Sequence, residues 1–326
     1  MPKLVKILSI DGGGIRGIVP AMLLAEIERR TQRPIAKLFH LVAGTSTGGI
    51  LALGLTIPKH PGSPLYRAAE FGGMYAREGP RIFSRSFWHK VTCCNNLINV
   101  KYSSAGIEQV LEEFFGESRL AHAATSVLVT SYEIERNFPF FFKSSNARTR
   151  SGYDFPARQV ARATSAAPTY FKPMKLPTGT NTDHYTLIDG GVYANNPAAC
   201  ALVEARTTHP DASGFLVVSL GTGCLRHSLR YDAAKNWGVA KWAAPLLNVV
   251  FDGVSSTVDY QMRQLMPEVP GDPKHYYRFQ TRLEPHQHAL DNTCAANIAA
   301  LQALANNLIE QQSRDLDELC DTLVAK

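Results

Sequence analysis

Apolar and polar positions along the chain follow two periods, one for strands and one for helices. Leu4 to Ile10 is a short, β-branched-rich run that stops at a glycine cluster, which predicts a buried strand. From Ile18 to Arg30 the apolar positions Met22, Leu23 and Ile27 fall at helical spacing, and Pro34 breaks the pattern. Phe39 to Ala43 predicts a second strand, and Gly48 to Leu55 opens a second, largely apolar helix. A strand, a glycine turn and a helix, repeated, is the pattern of a parallel sheet with helices on its faces.

Residues 58–104 are mixed, basic and aromatic, with Arg77, Arg81, Arg85, Trp88, His89 and Lys90, and they read as an insertion or cap. Ile107 to Phe115 predicts a helix, Ser126 to Tyr132 and Phe138 to Lys143 predict strands, and Pro156 to Ala166 predicts a helix. Tyr185 to Ile188 is a strand ending at Asp189, and Phe215 to Leu220 is another ending at Gly221-Thr222-Gly223. An apolar, partly helical stretch carries Trp237, Trp242, Leu246, Leu247, Val250 and Phe251; it suits contact with lipid as well as core or subunit packing. Ile298 to Leu323 predicts one long amphipathic helix whose polar face carries Glu310, Asp315, Asp317 and Glu318, so it is expected to cover the sheet. No repeat or linker divides the chain. The expectation is one domain over residues 1–326, with a motif-bearing core at about 4–225 and a helical portion at about 232–326.

Composition narrows the classes. Of 326 residues, 45% are hydrophobic and 19% charged, which fits a globular enzyme and excludes a disordered chain. The net charge of +6 favours anionic partners such as phospholipid surfaces or nucleotides. The six cysteines form no C-x-x-C pair and read as free thiols of a cytosolic protein. The start runs straight into a strand, leaving no room for a signal-peptide apolar region, and no apolar run is long enough to cross a bilayer. A cytoplasmic protein that meets the inner membrane face peripherally is the expectation. His286 and His288 sit two apart without a supporting carboxylate or cysteine cluster, so no metal and no cofactor are expected.

Three glycine-bearing turns carry the candidate chemistry. Asp11-Gly12-Gly13-Gly14-Ile15-Arg16-Gly17 follows a strand and opens a helix, where backbone N–H groups can meet an oxyanion. The same string contains G-x-G-x-x-G, but the second strand ends in Val42-Ala43-Gly44 without the acid that a dinucleotide's ribose needs. Gly44-Thr45-Ser46-Thr47-Gly48 matches G-x-S-x-G between a strand and a helix, as a nucleophile elbow requires. Its serine needs a proton acceptor. Asp189-Gly190-Gly191 ends a strand, which places a carboxylate at the carboxyl edge of the sheet, or merely caps a turn.

In this order the three segments resemble the patatin-like phospholipase family, which pairs D-G-G-G-x-R-G, G-x-S-x-G and D-G-[AG]. Ala163-Thr164-Ser165-Ala166-Ala167-Pro168-Thr169-Tyr170-Phe171 and Asn195-Asn196-Pro197 resemble it too, and the similarity spans roughly residues 4–225. The resemblance implies an α/β class, a three-layer α/β/α fold with a mainly parallel central sheet. It implies a phospholipase A-type hydrolase that cleaves acyl esters of membrane glycerophospholipids with a Ser46–Asp189 dyad and no catalytic metal. Gly12, Gly13 and Gly14 would supply the oxyanion N–H groups. Arg16 would steady the loop or meet lipid phosphate. If a histidine were essential instead, the candidates after Asp189 are His209, His227 and His275.

The opening segment Ile7–Gly17 also resembles bacterial patatin-like effectors of anti-phage defence, which a cyclic nucleotide switches on to degrade the host membrane. Arg77, Arg81, Arg85 and Lys90 would then form the anion site. A nucleic-acid polymer is not an expected partner; a homo-oligomer is compatible with the sequence. The competing readings are a constitutive lipid or carboxyl esterase and a non-catalytic nucleotide-binding module.

Overall fold

A computed structural model describes residues 4–60, 62–84, 99–178, 183–225 and 229–325. Arg85, Trp88, His89, Lys90 and His227 lie outside the described residues.

The apolar runs become the strands β1 (Leu4–Ile10), β2 (Leu41–Thr45), β3 (Ser126–Glu133), β4 (Phe138–Lys143), β5 (Met174–Pro177), β6 (His184–Asp189), β7 (Gly214–Leu220) and β8 (Tyr276–Phe279). They form an eight-stranded sheet in the order β8-β7-β1-β2-β3-β6-β5, with β4 on the other flank of β3. Pairing is parallel from β8 through β3. It is antiparallel between β3 and β4, β3 and β6, and β6 and β5.

The two-residue period of β1 explains the layers. Val5 and Ile7 point to one face, where they pack with Ala201 and Leu202 of α6 (Ala198–Thr208) and Met262 of α7 (Val239–Leu265). Leu8 and Ile10 point to the other, against Leu23, Leu24 and Ile27 of α1 (Ile18–Thr31) and Leu51 and Leu55 of α2 (Thr47–Thr56). That face also carries Phe71 and Met74 of α3 (Ala68–Ile82). Beyond β2, Val127 and Val129 of β3 continue it beneath α4 (Ser104–Phe115) and α5 (Ala157–Thr164). The result is the expected three-layer α/β/α arrangement.

Two expectations change in the C-terminal portion. It is not purely helical, because Tyr276–Phe279 joins the sheet as its edge strand, parallel to β7. The expected single helix from Ile298 is two, α8 (Ala295–Gln311) and α9 (Ser313–Val324). The junction is bound from α1: the Arg30 guanidinium donates to the Ser313 carbonyl (2.9 Å) and hydroxyl (3.2 Å) and pairs with Asp317 (2.7 Å). The break lets both halves set their leucines into the α1 side of the core, with Leu301, Leu308, Leu316 and Leu319 all buried there.

Strand β8 contributes more than an edge. Arg278 reaches under β7 and makes a two-point contact with Asp11, Nη1 to Oδ1 at 3.0 Å and Nη2 to Oδ2 at 2.6 Å. Its Nη1 also donates to Ser219 Oγ at 2.8 Å. Burial pushes the Asp11 carboxyl up while the Arg278 charge pulls it down; for Arg278, burial opposes the charge but Asp11 outweighs it. The parallel two-point geometry favours the ionised pair. Removing one partner leaves a buried charge alone, so Arg278→Met is expected to cost about 3–5 kcal/mol of stability in urea unfolding. A loss below about 1 kcal/mol would mean the pair does not anchor the loop that begins at Asp11.

Candidate functional site

Ser46 sits on the turn between β2 and α2, with φ 55° and ψ −123°. A side chain in that region is strained by about 1–3 kcal/mol and persists only where the surroundings enforce it. Here they do. The Ser46 N–H donates to Thr164 Oγ1 (2.8 Å), whose hydroxyl donates to the Thr130 carbonyl (2.7 Å). Its own carbonyl accepts from Gly49 and Ile50 and so starts α2. Thr45 Oγ1 bonds the Ala194 carbonyl at 2.6 Å. A Cβ on Gly44 would strike the Gly48 carbonyl, and one on Gly48 the Ile10 carbonyl, so both positions need glycine for the helix to lie this close to the strands.

Asp189 reaches the same spot from the opposite direction. The expectation of a carboxyl edge in a parallel array is corrected: β6 runs antiparallel to β3. Because β4 occupies the other flank of β3, β2 and β6 share one flank and meet there end to end, Thr45 opposite Thr130 and Asp189 opposite Ser131. The carboxyl is fully buried. Its Oδ1 accepts from the Gly191 N–H at 2.7 Å, while Oδ2 has no hydrogen-bond partner of standard geometry. The Ser46 hydroxyl is nonetheless close enough to act on its titration. Burial pushes the Asp189 pKa up from 3.8 to about 7, against smaller opposing pulls from Ser46 and the Gly191 N–H. Gly190 packs against the Thr130 side chain, where a Cβ would not fit.

The glycine loop forms the third side. Gly12 does not offer a free donor as expected: its N–H is taken by the Asn195 carbonyl at 3.0 Å. The Gly13 and Gly14 N–H groups donate to nothing among the described residues. Their direction is fixed by the carbonyls across each trans peptide. Thr222 Oγ1 donates to the Gly12 carbonyl at 2.6 Å, with the Asn195 amide at 3.5 Å, and this aims the Gly13 N–H the other way. The Arg16 N–H (3.1 Å) and Nε (3.3 Å) both donate to the Gly13 carbonyl and do the same for Gly14. Gly14 has φ +57°, the left-handed region, with the Leu290 carbonyl where its Cβ would be. Arg16 is only 2% exposed and faces a polar chamber with Asp252 behind the loop. Burial lowers its pKa, and Asp252 is foremost among the charges opposing that. Gly17 lies beneath the Thr47 and Tyr75 side chains beside the elbow.

These groups meet in one cleft of about 870 Å³, open to solvent, with Ser46, Asp189, Gly13 and Gly14 in its wall. The rest of the lining is mostly apolar, with Ile50, Met74, Phe83, Leu111, Phe171 and Phe251. Thr47, Ser165 and the Tyr75 and Tyr170 rings add polar groups, and Glu78 adds a charge, paired with Arg81 and Arg77 at 2.5 Å each. No histidine among the described residues lines the cleft. His209 follows α6 and bonds Thr208, and His275 precedes β8 at the far end of that strand. Among the described residues no three His, Cys, Asp or Glu side chains gather as a metal site. His288 instead lies 3.8 Å from Asp252.

The family model described as Patatin-like phospholipase matches residues 8–202, more than half of the chain. The chain belongs to the patatin-like phospholipase family. Its class of activity is therefore that of a lipid acyl hydrolase, a serine hydrolase. Patatin-like protein 4 of Arabidopsis thaliana is 30% identical over 94% of this chain and 84% of its own. Patatin-like protein 2 of Oryza sativa subsp. indica is 31% identical over 97% and 86%. The Solanum tuberosum protein named Probable inactive patatin-3-Kuras 1 is 30% identical over 95% and 87%. Among solved structures, VipD from Legionella pneumophila covers 95% of this chain and 67% of its own at 13% identity, with a TM-score of 0.34.

Thr164, Thr222 and Arg278 had no assigned task in the sequence. Thr222 carried a signal, since Gly221-Thr222-Gly223 ends a strand that lies beside β1. Arg278 carried none, because nothing local ties it to a loop 267 residues earlier.

The raised Asp189 pKa has a stability consequence. The folded chain holds this proton more tightly than the unfolded chain, so this group's contribution to stability is fully present below pH 3.8 and is lost as pH rises to about 7. Ionising the carboxyl then costs the folded state about 4 kcal/mol. Asp189→Asn is expected to be more stable than wild type at about pH 8, with the gap closing toward pH 4, as measured by urea unfolding midpoints. An unaltered or lower midpoint at the higher pH would contradict the buried, proton-retaining carboxyl.

Proposed function

We propose that the protein is a phospholipase A-type acyl hydrolase that works with a Ser46–Asp189 dyad. The observation that carries this reading is the buried Asp189 carboxyl, with one oxygen unpartnered, beside a serine on a strained elbow in an apolar cleft. A base whose pKa lies near neutrality is matched to taking a proton at neutral pH. Asp189 accepts the Ser46 proton as Oγ bonds to the ester carbonyl carbon. The negative charge that develops on the carbonyl oxygen is received by the Gly13 and Gly14 N–H groups. As the tetrahedral intermediate collapses, Asp189 returns the proton to the departing alkoxide, leaving an acyl-serine. Water then repeats the sequence, with Asp189 again taking and returning a proton, and frees the fatty acid. The apolar wall suits the acyl chain.

Family membership gives the class of activity, yet one relative of similar identity is named as inactive. The intact geometry around Ser46 is what supports turnover here. A cyclic-nucleotide switch has less support. Of its four expected basic residues, Arg77 pairs with Glu78 and Arg81 pairs with Glu78 and Glu113, while Arg85 and Lys90 lie outside the described residues.

Phospholipid hydrolysis and labelling by a fluorophosphonate probe test the proposal, each with and without a panel of cyclic dinucleotides. Ser46→Ala is expected to abolish both activities, and Asp189→Asn to lower hydrolysis by about 10²–10⁴-fold. Single substitutions of His209, His227 and His275 are expected to leave hydrolysis intact. An essential histidine would overturn the dyad. A wild-type chain that neither hydrolyses lipid nor takes the label, with or without nucleotide, would favour the nucleotide-binding module.

A further inference from the structure

Helix α7 has two different outer faces. Phe251, buried at 3% exposure, enters the catalytic cleft, and Ser255, Val258 and Met262 follow it at helical spacing toward the sheet. Val239, Trp242, Leu246 and Val249 fall at intervals of three, four and three, within about 60° of the direction opposite Phe251. Val239 is 90% exposed and Leu246 and Val249 are each 49% exposed, while Trp242 is half-buried against Trp237, so most of this apolar stripe has no cover among the described residues. Its aliphatic side chains are confined to the half of the helix alongside the cleft; farther on, the outer positions are Gly253, Ser256, Thr257 and the 65% exposed Tyr260.

The chemistry around the stripe narrows what covers it. From Val239 to Phe251 the one charged residue is Lys241. Just before it, Tyr231 is 78% exposed, and Trp237 and Trp242 meet edge to face with ring centres 5.5 Å apart. Arg230, Lys235 and Lys241 stand against a single acid, Asp232, which is tied to Lys235 at 3.0 Å. Exposed aliphatics, indole and phenol rings at their margin and an excess of basic residues are the composition of a surface that lies in a lipid interface. Bases there also complement anionic head groups.

We propose that Trp237 and the outer face of α7 from Val239 to Val249 dock the protein on an anionic phospholipid bilayer. Docking brings the Phe251 wall of the cleft to the lipid. This deepens the phospholipase reading and rests on it for the identity of the lipid as substrate, but membrane binding is measured separately from hydrolysis.

The test uses the full chain carrying Ser46→Ala, which leaves vesicles intact, and follows co-flotation with vesicles of phosphatidylcholine and phosphatidylglycerol. Leu246→Glu/Val249→Glu is expected to lower vesicle binding by about tenfold or more. Lys235→Glu/Lys241→Glu is expected to lower it on anionic vesicles but little on pure phosphatidylcholine, and salt at about 1 M to mimic that loss. In the Ser46 background, Leu246→Glu/Val249→Glu is expected to retain hydrolysis of a soluble short-chain ester while losing hydrolysis of vesicles. Retained soluble activity also reports that the variant is folded. Vesicle binding equal to that of the parent would overturn the proposal. So would a parent that ignores vesicles but loses a dimer on sedimentation when the two glutamates are introduced, since a second copy would then cover the face. Absent hydrolysis of the soluble ester by the wild-type chain would instead refute the hydrolase reading and leave the flotation result to stand alone.

Discussion

Everything at the site depends on one flank of β3. There β2 ends at Thr45 and β6, coming the other way, ends at Asp189, so two strand ends of opposite direction share neighbouring positions on a single strand. Neither strand continues, and each must turn away at once. That requirement forces the unusual backbone at Ser46 and the close approach of Gly190 to Thr130. It also places the Asp189 carboxyl inside the sheet rather than on it, and burial is what moves its pKa toward neutrality. Position and basicity therefore have the same cause.

The glycine loop depends on a second constraint, applied from behind. Its carbonyls face the polar chamber and are held by Thr222, Asn195 and Arg16, so its free N–H groups face the cleft. Asp11 at the start of the loop is fixed by Arg278 from the far edge strand. A loop of three glycines has little stiffness of its own. The stiffness comes from β7 and β8, segments distant in sequence, and preorganised donors are worth most in a transition state when they need not reorganise.

Much of this was legible in the sequence, for identifiable reasons. Strands such as Leu4–Ile10 and Phe138–Lys143 are short apolar runs bounded by turn residues, and the elbow at Ser46 carries its glycines on both sides. What was not legible came from pairing over long distances. The direction of β6 cannot be read from His184–Asp189 itself, because a short strand looks alike in either orientation. That Gly12 is spent on Asn195 depends on a contact 183 residues away. The break at Gln312 also escaped, since its apolar spacing runs through unbroken and the stop is set by Arg30 on another helix.

The most direct measurement is the rate at which a fluorophosphonate modifies Ser46 as a function of pH, in wild type and in Asp189→Asn. If the buried carboxyl is the base, the wild-type rate climbs about tenfold per pH unit and levels near pH 7, and Asp189→Asn is slow with no such step. A step near pH 4, or one that survives unchanged in Asp189→Asn, would mean that another group takes the serine's proton.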